Sequence, residues 1–173
     1  MYDYERKADR ILQNRKGERK MKKSIQEHIT LLSPTDMIIA PIQINYDNDE
    51  ETDNPVEINL TFNGVMYQGK GTHYLWIDAF ADLQNKLPHG IKIACCMTCT
   101  HGNMCPYGNE ENQLFCTRDL VISSKDDMID LFNHTDPYAE RLVSSIQYCE
   151  GFIDQSDHGY TYNDFLYYLK KKP

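Results

Sequence analysis

The chain has 173 residues, 40% of them apolar, and a formal net charge of −8; that size fits one domain with a lean core. No stretch approaches the roughly 20 apolar residues of a membrane-spanning helix. The first 30 residues are charged and hold no apolar signal-peptide segment, so the expectation is a cytoplasmic protein with no membrane partner.

Charge is divided unevenly along the chain. Residues 1–23 carry nine Lys/Arg against four Asp/Glu, a net of +5, and residues 24–173 carry nine against 22, a net of −13. An acidic body is repelled by phosphate backbones and attracted to basic surfaces. The first segment reads as a basic N-terminal extension, weakened as a helix by Gly17. Its two aromatic residues, Tyr2 and Tyr4, flank Asp3 and are not interleaved with the later Lys/Arg residues for stacking on nucleic acid, so a solvated tail is the simpler reading. Residues 24–173 then form a single α+β domain.

Within that domain, 37–46 (MIIAPIQINY) reads as a strand, with Pro41 favouring an edge or a bulge. The acidic loop that follows spaces Asp47, Asp49, Glu51 and Asp53 like a calcium loop. The pattern fails, because Thr52 stands where glycine is needed and Ile58 where a bidentate glutamate is needed. Residues 56–62 and 65–69 flank Asn63-Gly64, the dipeptide of a type I′ hairpin. Leu75, Ala79, Phe80 and Leu83 recur at helical spacing over 74–87. Thr72 is the expected N-cap and Pro88-His89-Gly90 the stop. Residues 91–96 and 113–123 read as strands. Ser124 is expected to cap the helix KDDMIDLFN, residues 138–149 to form another helix, and YNDFLYYLKKK a last one. The fold class expected is α+β: an antiparallel sheet with a β-hairpin and three to four helices, plus a Cys-rich metal-binding loop region.

That region is Cys96-x2-Cys99-x5-Cys105-x10-Cys116, with Cys95 adjoining the first. Two cysteines three apart can wrap one tetrahedral ion, and Gly102, Pro106 and Gly108 supply turns. In a reducing compartment, clustered cysteines are metal ligands or redox thiols rather than disulfides. The expected tetracysteine site lies at 95–116, with Cys96, Cys99, Cys105 and Cys116 as ligands of structural Zn2+ and Cys95 or His101 as alternates. An iron–sulfur cluster is the alternative cofactor, although the regular C-x2-C-x2-C run is missing. Ordinary buried thiols are a third reading. Cys149, alone at helical spacing, is assigned to the core.

No GxSxG, HExxH or phosphate loop is present, and Cys99 with His101 lacks an orienting third group; no catalytic residue is assigned. The stretch IKIACCMTCTHGNMCPYGNEENQLFC resembles a group of small bacterial proteins sharing a CxxC…CPYG…FC core. The matching residues are Cys96, Cys99, Cys105, Pro106, Tyr107, Gly108, Phe115 and Cys116, within about residues 56–133. The group carries no established activity, so the resemblance implies no residue roles. The expected function is a non-enzymatic, zinc-stabilised binding protein, of the kind that neutralises a basic bacterial toxin. Its expected contacts are Asp47, Asp49, Glu50, Glu51, Asp53, Glu110 and Glu111. The alternatives are a zinc-ribbon-like nucleic-acid or regulatory adaptor, against which the acidic body argues, and a redox or iron–sulfur protein.

Overall fold

A computed structural model describes residues 23–47, 55–72, 76–108, 113–134, 138–155 and 159–171. Four long strands open the fold: β1 (Lys23–Leu32), β2 (Met37–Tyr46), β3 (Val56–Phe62) and β4 (Val65–Gly71). Helix α1 (Ile77–Lys86) returns the chain to β5 (Lys92–Ala94), which pairs with β1. The five-stranded antiparallel sheet has the order β4-β3-β2-β1-β5. A smaller sheet, β6 (Gly102–Asn103), β7 (Gln113–Cys116) and β8 (Leu142–Ser144), follows in the order β6-β7-β8. Helices α2 (Lys125–His134) and α3 (Phe165–Lys170) complete the chain.

Alternation sets the large sheet's two faces. Ala40, Ile42, Ile44 and Tyr46 of β2 are buried, while Met37, Ile39 and Pro41 are exposed. The hairpin forms as its turn residues predict: Asn63 and Gly64 both take positive φ, 51° and 75°, which a type I′ turn requires. Pro41 nevertheless lies inside the sheet, opposite His28 of β1. Its missing N–H is tolerated because the ladder to β3 runs only from Ile42 to Asn45.

Helix α1 buries Ile77, Ala79, Phe80, Ala81 and Leu83. It lies so close to β4 that a Cβ on Gly69 would stand 2.2 Å from the Ala79 carbonyl oxygen. Its side chains also close the free edge of β4. Asp82 accepts the Lys70 N–H at 2.7 Å, Asp78 accepts the Thr72 N–H at 2.7 Å, and Lys86 donates to the Gln68 carbonyl at 2.9 Å. These three residues recur every four positions, so one helix face meets the strand edge. The helix is not capped by Thr72. Trp76 occupies the N-cap in a left-handed conformation, φ 61°, with its ring buried 5.3 Å from that of Tyr46.

The expectation of an α+β fold with three to four helices is corrected. The molecule is mostly antiparallel sheet, a half-barrel of eight strands with three α-helices among the described residues, two of them 10 residues long. The largest departure is at 138–149. Tyr138–Arg141 is one 3-10 turn, and Leu142–Ser144 is β8, paired with Gln113–Phe115. The apolar residues there fit a helical spacing, but cross-strand pairing with β7 decides the conformation. The strand expected over 113–123 stops at Cys116. Ser124 caps α2 as expected. Its hydroxyl accepts the Asp127 N–H at 3.3 Å, and the Asp127 carboxylate accepts the Ser124 N–H at 2.9 Å. The Cys-rich metal-binding loop is corrected too. Among the described residues no group of three or more His, Cys, Asp or Glu is placed to hold a metal ion.

Candidate functional site

The cysteine segment leaves β5 as a tight 3-10 turn, Cys96–Thr98. Thr98 anchors it, donating from its hydroxyl to the Ile93 carbonyl at 2.8 Å and accepting the Cys95 N–H at 3.2 Å. Both flanks of the segment are then bonded. On one side Gly102 pairs with Cys116 and Asn103 with Phe115. On the other, Thr100 N–H donates to Ile153 at 2.8 Å and Gln155 N–H to Thr98 at 3.1 Å. The C-terminal segment fastens it further: Asn163 Nδ2 donates to the Met97 and Gly102 carbonyls at 2.8 and 2.9 Å. Gln155 Nε2 donates to the Met97 and Cys99 carbonyls, while its own Oε1 is buried with no hydrogen-bond partner among the described residues. That is a costly state for an amide oxygen.

Gly102 is required where it stands. A Cβ there would lie 1.8 Å from the Cys96 carbonyl oxygen, so only glycine lets the turn lie flat against β6.

Six free thiols result. Cys95 is fully buried on the core side, its Sγ 3.9 Å from Thr98 Oγ1. Burial pushes its thiol up to about 11 despite N–H bonds from Thr98 and Met97. Cys96 rises to about 12, first from burial and then from the like charges of Cys95, Cys99, Cys116 and Cys149 around it. Cys99 is raised by burial and by Cys149 and Cys116, while backbone N–H bonds from Ile153 and His101 act in the opposite direction. His101 is half-buried, and burial and then Arg118 lower its pKa. Cys105 sits half-buried in a turn closed by the Gly108 N–H on its carbonyl. Cys95, Cys96 and Cys99 are therefore protonated near neutrality and are poor nucleophiles as they stand.

The charges of four other cysteines thus reach Cys96, and one of the four is Cys149. Sequence reasoning had assigned that residue to the core. It lies in the turn after β8, two residues past Gln147, whose carbonyl accepts the Cys96 N–H at 2.7 Å. Its signal in the sequence was only that it is the sixth cysteine, far from the others.

Among the expected partner-binding residues, Asp47 lies at the end of β2. It lines a small pocket of about 40 Å³ with Asn45, Tyr46, Pro55 and Glu57. Asp49, Glu50, Glu51, Asp53, Glu110 and Glu111 lie outside the described residues.

The outward face of the large sheet is a second feature. At one end it is polar and cross-linked: Gln43 Nε2 donates to Ser24 Oγ at 3.0 Å and Gln68 Nε2 to Asn59 Oδ1 at 3.1 Å. At the other it is apolar. Met37, Ile39 and Met66 are 56%, 66% and 70% exposed, beside Pro41 and Thr61.

Comparison with protein-family models, with curated proteins and with solved structures finds no match. No helix among the described residues is long and apolar enough to cross a membrane.

Proposed function

We propose that this chain is a non-enzymatic binding protein for a basic protein partner, of the kind that an inhibitor offers to a basic bacterial toxin. One observation carries the reading: the net charge of −13 over residues 24–173, set against the +5 of the first 23. Such a body steers a positively charged surface toward it over distances set by the screening length. The outward sheet face offers the short-range contact. Its apolar end exposes Met37, Ile39 and Met66, side chains that a partner can desolvate.

The test is titration calorimetry against a basic protein encoded beside this chain, between roughly 0.01 and 0.15 M salt. Over that range the screening length falls from about 30 to about 8 Å. Affinity falls steeply as salt rises, and Ile39→Glu weakens binding at least tenfold at fixed salt. Association that ignores both salt and Ile39→Glu contradicts the reading.

A further inference from the structure

We propose that two copies of this chain pair edge to edge through the first half of β1, joining two five-stranded sheets into one of ten strands. The contact is isologous: a two-fold axis passes beside Ile25, and each copy offers the other the same residues.

The two sides of the large sheet end differently. Helix α1 covers the β4 edge with Asp78, Asp82 and Lys86. On the other side β5 pairs only with Thr30–Leu32 of β1. Residues 23–29 thus have β2 on one flank and, among the described residues, no strand on the other. Lys23, Ser24, Gln26, Glu27 and His28 are exposed there. Pro41 fixes which backbone groups face outward. It has no N–H, so its pair with His28 exchanges no bonds, and in an antiparallel ladder such pairs alternate with bonded ones. Ser24, Gln26 and His28 accordingly turn their N–H and C=O groups away from β2. Thr30, two residues on, faces the same way and is met by Ala94 of β5.

An open edge of this kind accepts another strand, and the side chains here select a second copy. Antiparallel pairing centred on Ile25 sets Ser24 of each copy against Gln26 of the other, and both pairs exchange their backbone bonds. Lys23 of each then meets Glu27 of the other at the closer, non-bonded spacing, and Ile25 meets its own twin. Ile25 is half-buried against the core, so its meeting carries the apolar layer across the axis. On the opposite face Gln43 already bonds Ser24, and Gln26 of the second copy extends that polar row. A centre moved to Gln26 would set Lys23 against Ile29 and Ile25 against Glu27, so the charge match singles out one register.

The experiment is sedimentation equilibrium of the full chain over an about hundredfold range of concentration. It is run at about 0.15 M salt, where repulsion between copies of net charge −8 is screened beyond about 8 Å. The expected mass rises from one chain toward two. Lys23→Glu and Glu27→Lys each bring like charges together on both sides of the axis and weaken pairing at least about tenfold. Mixed in equal amounts, the two variants pair with each other, because every charged contact across the axis then joins opposite signs. Recovery in the mixture separates lost pairing from misfolding. A chain that keeps the mass of one copy throughout overturns the proposal. So does pairing that survives Lys23→Glu, or a mixture that associates no better than its components.

Discussion

Replacing Gly102 by alanine tests how the cysteine turn is built. The new Cβ would lie 1.8 Å from the Cys96 carbonyl oxygen, against an ordinary contact of roughly 3.5 Å, so about 1.7 Å of separation must be found. Neither side can yield it freely. Gly102 N–H bonds the Cys99 carbonyl, Asn163 holds the Gly102 carbonyl, and Gly102 pairs with Cys116. Cys96 N–H is held by Gln147. Overpacking of this kind costs about 1–3 kcal/mol. Losing one or two of those bonds adds about 1 kcal/mol each, giving roughly 3–4 kcal/mol in all. Gly151→Ala is the control. Its Cβ also meets an atom closely, at 2.7 Å, but that atom is Arg118 Cδ on an exposed side chain that can swing away. The cost there is below about 1 kcal/mol. Urea unfolding followed by the fluorescence of Trp76, the chain's single tryptophan, measures both. Equal midpoints for the two variants would refute the packing argument.

Removing the edge caps is the next perturbation: Asp82→Ala strips the acceptor from the Lys70 N–H and the partner from Lys86. It is expected to cost about 1 kcal/mol and to raise concentration-dependent association through β4, read by sedimentation. An unchanged association would mean the carboxylate does not guard the edge. The protein should lose stability on the alkaline side. Cys95 and Cys96 are raised in the folded state from 9.0 to about 11 and about 12, so their contribution is complete below pH 9 and is lost as pH rises through those values. Thermal unfolding at pH 8 and pH 10 checks the sign, and greater stability at pH 10 contradicts it. At the acid end, Asp119, held near 2 chiefly by its hydrogen bonds with Arg141, contributes stability above pH 4 that fades as pH falls toward 2. Asp119→Asn should flatten that part of the profile.

The parts of the fold that depend on local chemistry were legible in the sequence. Asn63-Gly64 announced its hairpin, and the apolar spacing of Ala79, Phe80 and Leu83 announced α1. The parts decided by distant partners were not. β1 was hidden because its first residue, Lys23, ends a basic run, and its identity rests on pairing with β2 and β5. Leu142–Ser144 satisfies both a helical and a strand period, and only β7 beside it settles the choice. The Trp76 cap was out of reach because left-handed tryptophan has no sequence signature. At the cysteines, the CxxC spacing pointed to Cys96 and Cys99, while Cys149 arrives through a tertiary turn that no spacing rule describes.

The measurement that bears most directly on the proposed binding face is peroxide footprinting of the methionines with and without the basic partner. Met37 and Met66 stand exposed on that face, while Met97 and Met128 are fully buried and serve as internal controls. In the free protein Met37 and Met66 oxidise before Met97 and Met128. The account predicts that saturating partner protects both while Met97 and Met128 stay slow throughout. Undiminished oxidation of Met37 and Met66 in the saturated complex would contradict it.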